Sequence, residues 1–251
     1  TNSRLDFPAL TALDDLRERI LDIQALAGGV IRLPQVPTIT VQSFLLRFLS
    51  DGPDSTIDLA ALTSATGLSD ANVQFTVRNG GTLLVPALTS LVQSSVTLDG
   101  AGTLDLSGVT TLDGSDLFAV NGTTLAFPNV TTFRIPPGTG NAFWQASGTN
   151  SRLDFPALTA LDDLRERILD IQALAGGVIR LPQVPTITVQ SFLLRFLSDG
   201  PDSTIDLAAL TSATGLSDAN VQFTVRNGGT LLVPALTSLV QSSVVLDGAG
   251  T

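Results

Sequence analysis

Apolar residues recur along the chain in one short arrangement: apolar, any residue, apolar, usually Pro, any residue, apolar, usually Thr, any residue, apolar. Leu5, Phe7, Pro8, Leu10, Thr11 and Leu13 form the first instance, and Ile31, Leu33, Pro34, Val36, Pro37 and Ile39 the second. Further instances begin at Ile57, Leu83, Leu104, Leu125, Leu153, Ile179, Ile205 and Leu231. The first two apolar positions alternate with period two, as on a half-buried strand. The Pro that follows has no N–H to donate, so it ends that strand or marks a corner. The next two apolar positions belong to a second short segment beyond the corner.

A third strand is predicted in most instances. Val73, Phe75 and Val77 alternate before Asn79-Gly80, and Val96 and Leu98 before Asp99-Gly100. Such dipeptides accept the left-handed backbone that a tight corner needs. Between Leu117 and Val120 the pattern leaves open which side chains face inward.

The instances are spaced 26, 26, 26, 21, 21 and 28 residues apart, and the register then returns after 148 residues. Thr1 to Thr103 recurs as Thr149 to Thr251, with one change, Thr97 to Val245. The expected domains are therefore a first unit, 1–148, and a partial second unit, 149–251, that continues it. One instance cannot bury its apolar side chains alone, but stacked instances can. The fold predicted is all-β, a parallel β-helix or β-solenoid of about ten coils of 21–28 residues. At a spacing of about 4.8 Å per coil the rod would be roughly 48 Å long. Leu/Ile/Val/Phe ladders are expected inside, with a Thr file at Thr11, Thr63, Thr89, Thr110 and Thr131 that Pro37 interrupts. The rival fold is a leucine-rich-repeat horseshoe, but its repeat wants Asn or Cys after the strand, where this chain has Pro or a small residue.

Composition narrows the function classes. The chain has no His and no Cys, which removes the commonest general base, the commonest metal ligand, thiolate nucleophiles and disulfides. The net charge is −10 and every base is Arg, so nucleic acid is an unexpected partner. No apolar run approaches the length of a membrane span. The absence of an initiator Met and of a signal segment at Thr1 is read as the mark of a piece of a longer or processed protein.

The chemistry that remains is thin. Asp6, Asp58 and Asp105 share one position of their coils, but Arg32, Leu84 and Ala126 occupy it in the coils between, so no calcium-binding carboxylate ladder of the pectate-lyase kind is expected. Arg32 is read instead as one rung of an outward ladder of alternating charge. Asp51-Gly52-Pro53-Asp54 and Asp113-Gly114-Ser115-Asp116 read as turns. Adjacent rather than alternating Thr pairs argue against an ice-binding face. Asp14, Asp15, Arg17, Glu18 and Arg19 form a charged stretch, either one helical turn or a side loop. Arg17 and Arg19 are candidates for a lateral contact between rods. Pro136-Pro137-Gly138 is predicted to protrude. Trp144, beside Phe143, is either a sugar-stacking side chain or a buried filler.

The runs Gly81 to Leu91 and Ser151 to Leu161 resemble the repeats of long bacterial extracellular β-strand-repeat proteins, such as autotransporter passenger domains and filamentous-haemagglutinin-type adhesins. The resemblance implies a secreted, surface-attached rod with no catalytic residue and no cofactor. The leading expectation is a structural stalk or fibre whose partners are neighbouring units, joined head to tail. The alternative is an adhesin that binds a glycan or a cell-surface partner; a polysaccharide lyase or hydrolase is the third reading.

Overall fold

Every winding is built from short segments that alternate inward apolar and outward polar side chains, so each segment is a strand with one dry face. The computed structural model describes residues 3–14, 20–68, 72–136, 140–164, 167–190 and 192–248. All named elements among them are strands, and every strand pairing is parallel. No helix is long and apolar enough to cross a membrane among the described residues. The molecule is a β-solenoid, with strands of successive windings hydrogen-bonded one above another.

Three faces run along the stack. In the second winding they are Val30–Arg32, Thr38–Val41 and Leu45–Asp51. The third face is the longest and is one uninterrupted sheet of ten strands. Its inward column reads Ile23, Phe48, Phe75, Val96, Leu117, Trp144, Ile171, Phe196, Phe223 and Val244. Phe48 and Phe75 stack at 5.4 Å, and their copies Phe196 and Phe223 at 5.3 Å. Leu117 and Ala119 point inward, which settles the orientation that the sequence pattern leaves open.

The other two faces are not continuous. The first face is two five-stranded sheets, and the break lies between Thr103–Leu104 and Thr124–Ala126. Leu83 pairs with Leu104, but Leu104 does not continue in one ladder to Leu125. The backbone ladder of that face is interrupted there, while Leu104 still packs against the core that holds Leu83 and Leu125. The break falls between the 21-residue winding that begins at Leu104 and the 28-residue winding that begins at Leu125, where side chains take over the joining. Thr123 Oγ1 donates to Leu98 O at 2.9 Å, and Asn129 Nδ2 donates to Ser107 O at 2.7 Å. The second face is divided as well, and at the same level Arg134 N–H donates to the Asp113 carboxylate at 3.0 Å.

The Thr file is present, with the hydroxyls bonded to main chain rather than to each other. Thr63 Oγ1 donates to Pro37 O, Thr89 to Thr63 O, and Thr110 to Thr89 O, at 2.9–3.2 Å. Pro37 thus accepts within the file even though it cannot donate.

Glycine is required where one winding presses on the next. A Cβ on Gly177 would lie 2.0 Å from Ala146 O, whereas one on Gly140 would meet nothing within 4 Å. Gly177→Ala is expected to destabilise by about 2–3 kcal/mol through overpacking, and Gly140→Ala by less than about 0.5 kcal/mol. Urea unfolding of the two variants checks the contrast. Val85 is buried among the inward side chains. Val85→Asp is expected to cost about 3–5 kcal/mol, the size of a buried charge left without a partner. An unchanged melting curve would refute the inward assignment.

Candidate functional site

The outward residues of the third face carry most of the polar chemistry, because strand alternation sends every second side chain of ten stacked strands to one surface. One outward column reads Asp22, Arg47, Gln74, Ser95, Asp116, Phe143, Asp170, Arg195, Gln222 and Ser243. Opposite charges fall on adjacent strands, the arrangement that favours this register over a slipped one. Arg47 lies 3.3 Å from Asp22. In the second copy Arg195 holds the Asp170 carboxylate through both Nε and Nη2, and Gln172 Nε2 donates to the same carboxylate at 2.8 Å. The Asp170 hydrogen bond raises the Arg195 pKa further above its ordinary value. Gln172, Arg195, Leu197, Gln222, Thr224 and Arg226 line an open groove of about 440 Å³ on this face.

A second ladder follows the corners at the end of the third face. Asp51 accepts from Arg78 Nε at 2.9 Å and from Asn79 Nδ2 at 2.8 Å. Asp199, Arg226 and Asn227 repeat the motif at 2.8 Å for both contacts. The Asn hydrogen bond and then the Arg pair hold the Asp51 carboxyl below its ordinary range, and Asp199 is lowered from the same partners, Asn227 first. Asn79 has φ +52° and Gly80 +85°, so this dipeptide both turns the chain and ties one winding to the one below. Behind the corner, buried serines bond the main chain on both sides of the turn. Ser50 Oγ donates to Ser55 O and accepts from Thr82 N; Ser55 Oγ donates to Asp51 O and accepts from Gly28 N. Sequence reasoning missed these serines. Their signal is the recurrence of Ser at 50, 55, 147, 151, 198 and 203, immediately flanking the Gly corners.

The aspartates of the first face take two roles. Asp58, Asp105 and Asp206 each accept from the amide two residues on, which fixes the corner after the strand. This hydrogen bond lowers the Asp105 pKa. The charge ladder is present: Arg32 lies 4.0 Å from Asp58, and Arg180 lies 3.8 Å from Asp154 and 3.7 Å from Asp206. In each pair the Arg is exposed and the Asp half-buried at the surface, and such pairs are worth roughly 0–1 kcal/mol each.

Trp144 is fully buried. It stacks on Phe155 at 4.5 Å, meets Phe133 edge-on at 4.6 Å, and its Nε1–H donates to Ser115 O at 3.2 Å. The sugar-stacking reading of Trp144 is therefore corrected to the buried filler, since its strand parity turns it inward. The same parity turns Phe143 outward, where it remains 39% exposed. Asp15, Arg17, Glu18 and Arg19 of the charged stretch lie outside the described residues, as do Pro137 and Gly138. No group of three or more acidic side chains is placed to hold a metal ion among the described residues.

Asp116 sits beneath Phe143 in the outward column and accepts from Phe143 N–H at 2.9 Å. Burial pushes its pKa from 3.8 to about 6, more than that hydrogen bond lowers it. A carboxyl whose folded pKa is raised binds its proton more tightly when folded, so its contribution to stability falls as pH rises from about 4 to about 6. Asp116→Asn keeps an acceptor for Phe143 N–H and removes the charge. It is expected to stabilise the protein by about 1–3 kcal/mol at pH 7 and not at pH 3.5. Denaturant titrations at the two pH values check this, and an equal effect at both would contradict it.

No family model matches the chain, and comparison with curated proteins and with solved structures gives no match.

Proposed function

We propose that this chain is a non-enzymatic structural rod, part of a stalk or fibre of a long bacterial extracellular or cell-surface protein whose units stack end to end. The observation that carries the reading is the repetition of environment, not only of sequence. Strands, ion pairs and corner serines of residues 29–81 recur in residues 177–229 with the same partners and nearly the same distances. Repetition distributes load and length evenly, whereas an enzyme needs one differentiated site. The acidic surface keeps long particles apart laterally.

A second reading, an adhesin that holds a saccharide along the third face, draws on one feature. Phe143 and the half-buried Phe118 stand outward on adjacent strands, flanked by Gln145 and the groove of Gln172 and Gln222. Aromatic faces with amides at their edges are suited to pyranose rings.

End-to-end stacking is tested by static light scattering and electron micrographs at rising concentration. Linear particles are expected, and Leu246→Glu, at an exposed inward position of the last winding, is expected to shorten them to single rods. Isolated monomers at every concentration would overturn the assembly reading. Binding to a panel of neutral polysaccharides, lost in Phe143→Ala, would favour the second reading.

A further inference from the structure

The chain contains the same winding twice in two settings. Residues 3–26 form the first winding of the described residues, none of which lies beneath it, and residues 151–174 repeat its sequence in the interior on top of residues 123–148. Leu5 is 51% and Phe7 39% exposed, whereas their copies Leu153 and Phe155 are wholly buried. The uncovered side of the lowest winding is an apolar recess of about 510 Å³ lined by Leu5, Phe7, Leu10, Leu13 and Ile23. In the interior copy, aromatic side chains fill the corresponding space. Phe127 stacks on Phe155 at 5.1 Å, and Trp144 lies on the same ring, with Phe133 against Trp144.

We infer that the recess under residues 3–26 is a binding surface for one kind of partner: a polypeptide winding with the Phe127–Phe133–Trp144 pattern of residues 123–148. The inference deepens the assembly reading and rests on it for its consequence, that units join in fixed order. The complementarity is threefold. The aromatic side chains fill the recess. The main chain supplies acceptors, because Arg152 N–H donates to Thr123 O at 2.7 Å and Thr159 N–H to Thr131 O at 2.9 Å, which assigns the same bonds to Arg4 and Thr11. Phe143 covers the following carboxylate: Asp170 is 1% exposed and chelated by Arg195, while its copy Asp22 is exposed and touches Arg47 only at 3.3 Å. The other windings match less well. In register, residues 29–52 have Leu33, Ile39 and Phe48 where residues 123–148 have Phe127, Phe133 and Trp144. The smaller side chains at the first two positions fill the recess incompletely.

The test extends the whole chain at Thr1 with the sequence of residues 123–148, which recreates the native Gly148–Thr149 linkage. A control chain carries the sequence of residues 29–52 there, which also ends in Gly. Native Trp144 is replaced by Phe in one version, so that only the added Trp reports. The added Trp is expected to emit as a buried indole and to resist acrylamide quenching. In the version that keeps Trp144, exchange of the Arg4 and Thr11 amides is expected to slow roughly a hundredfold, and less in the control. Equal protection by the control, or an added Trp quenched like a free indole, would overturn the inference. A docked extension on a chain that stays monomeric at all concentrations would support the inference while the assembly reading fell.

Discussion

The structure depends on one constraint: the backbone N–H and C=O groups of each winding's strands find their partners in the windings above and below, and only corner groups close locally, as Leu62 N–H does on Leu59 O. Within a winding, the three faces are too far apart to pair with one another. The third face meets the constraint at every level of the stack, in one ten-stranded sheet. The first and second faces meet it only in stretches, and corner side chains such as Thr123 and Asn129 join what the strands leave open. The third face therefore holds the rod together through its middle, where the other two faces are interrupted.

Burial and electrostatics follow from the same stacking. A side chain's environment is set by the winding beneath it as much as by its own sequence. Asp22 and Asp170 have identical local sequence, yet only Asp170 is enclosed, because only Asp170 has Phe143 below it. The same reasoning explains Asp116, whose raised pKa reflects its place under Phe143 rather than any partner acid. In this architecture the polar files align register and satisfy corners, and the apolar columns supply the driving force.

Much of this was legible in the sequence. The alternation at Leu83 and Val85, the corner Pro and the Asn-Gly turns specify strands and bends, and their recurrence specifies stacking. Two kinds of feature were not legible. Trp144 and Phe143 differ in fate by one residue of parity, and the longer loop of their winding hides that parity until the partner strand is known. The break between Leu104 and Leu125 lies where a 21-residue winding meets a 28-residue one, and no apolar pattern encodes it, since both residues fit the repeat equally. The buried serines escaped because Ser beside Gly reads as ordinary turn composition.

An experimental density map at side-chain resolution tests the central claim most directly. It should place Phe75, Val96, Leu117 and Trp144 in one column of continuously paired strands, with no backbone pairing between Leu104 and Leu125. A map with the third face interrupted at Val96 or Leu117, and the first face unbroken past Leu104, would contradict it.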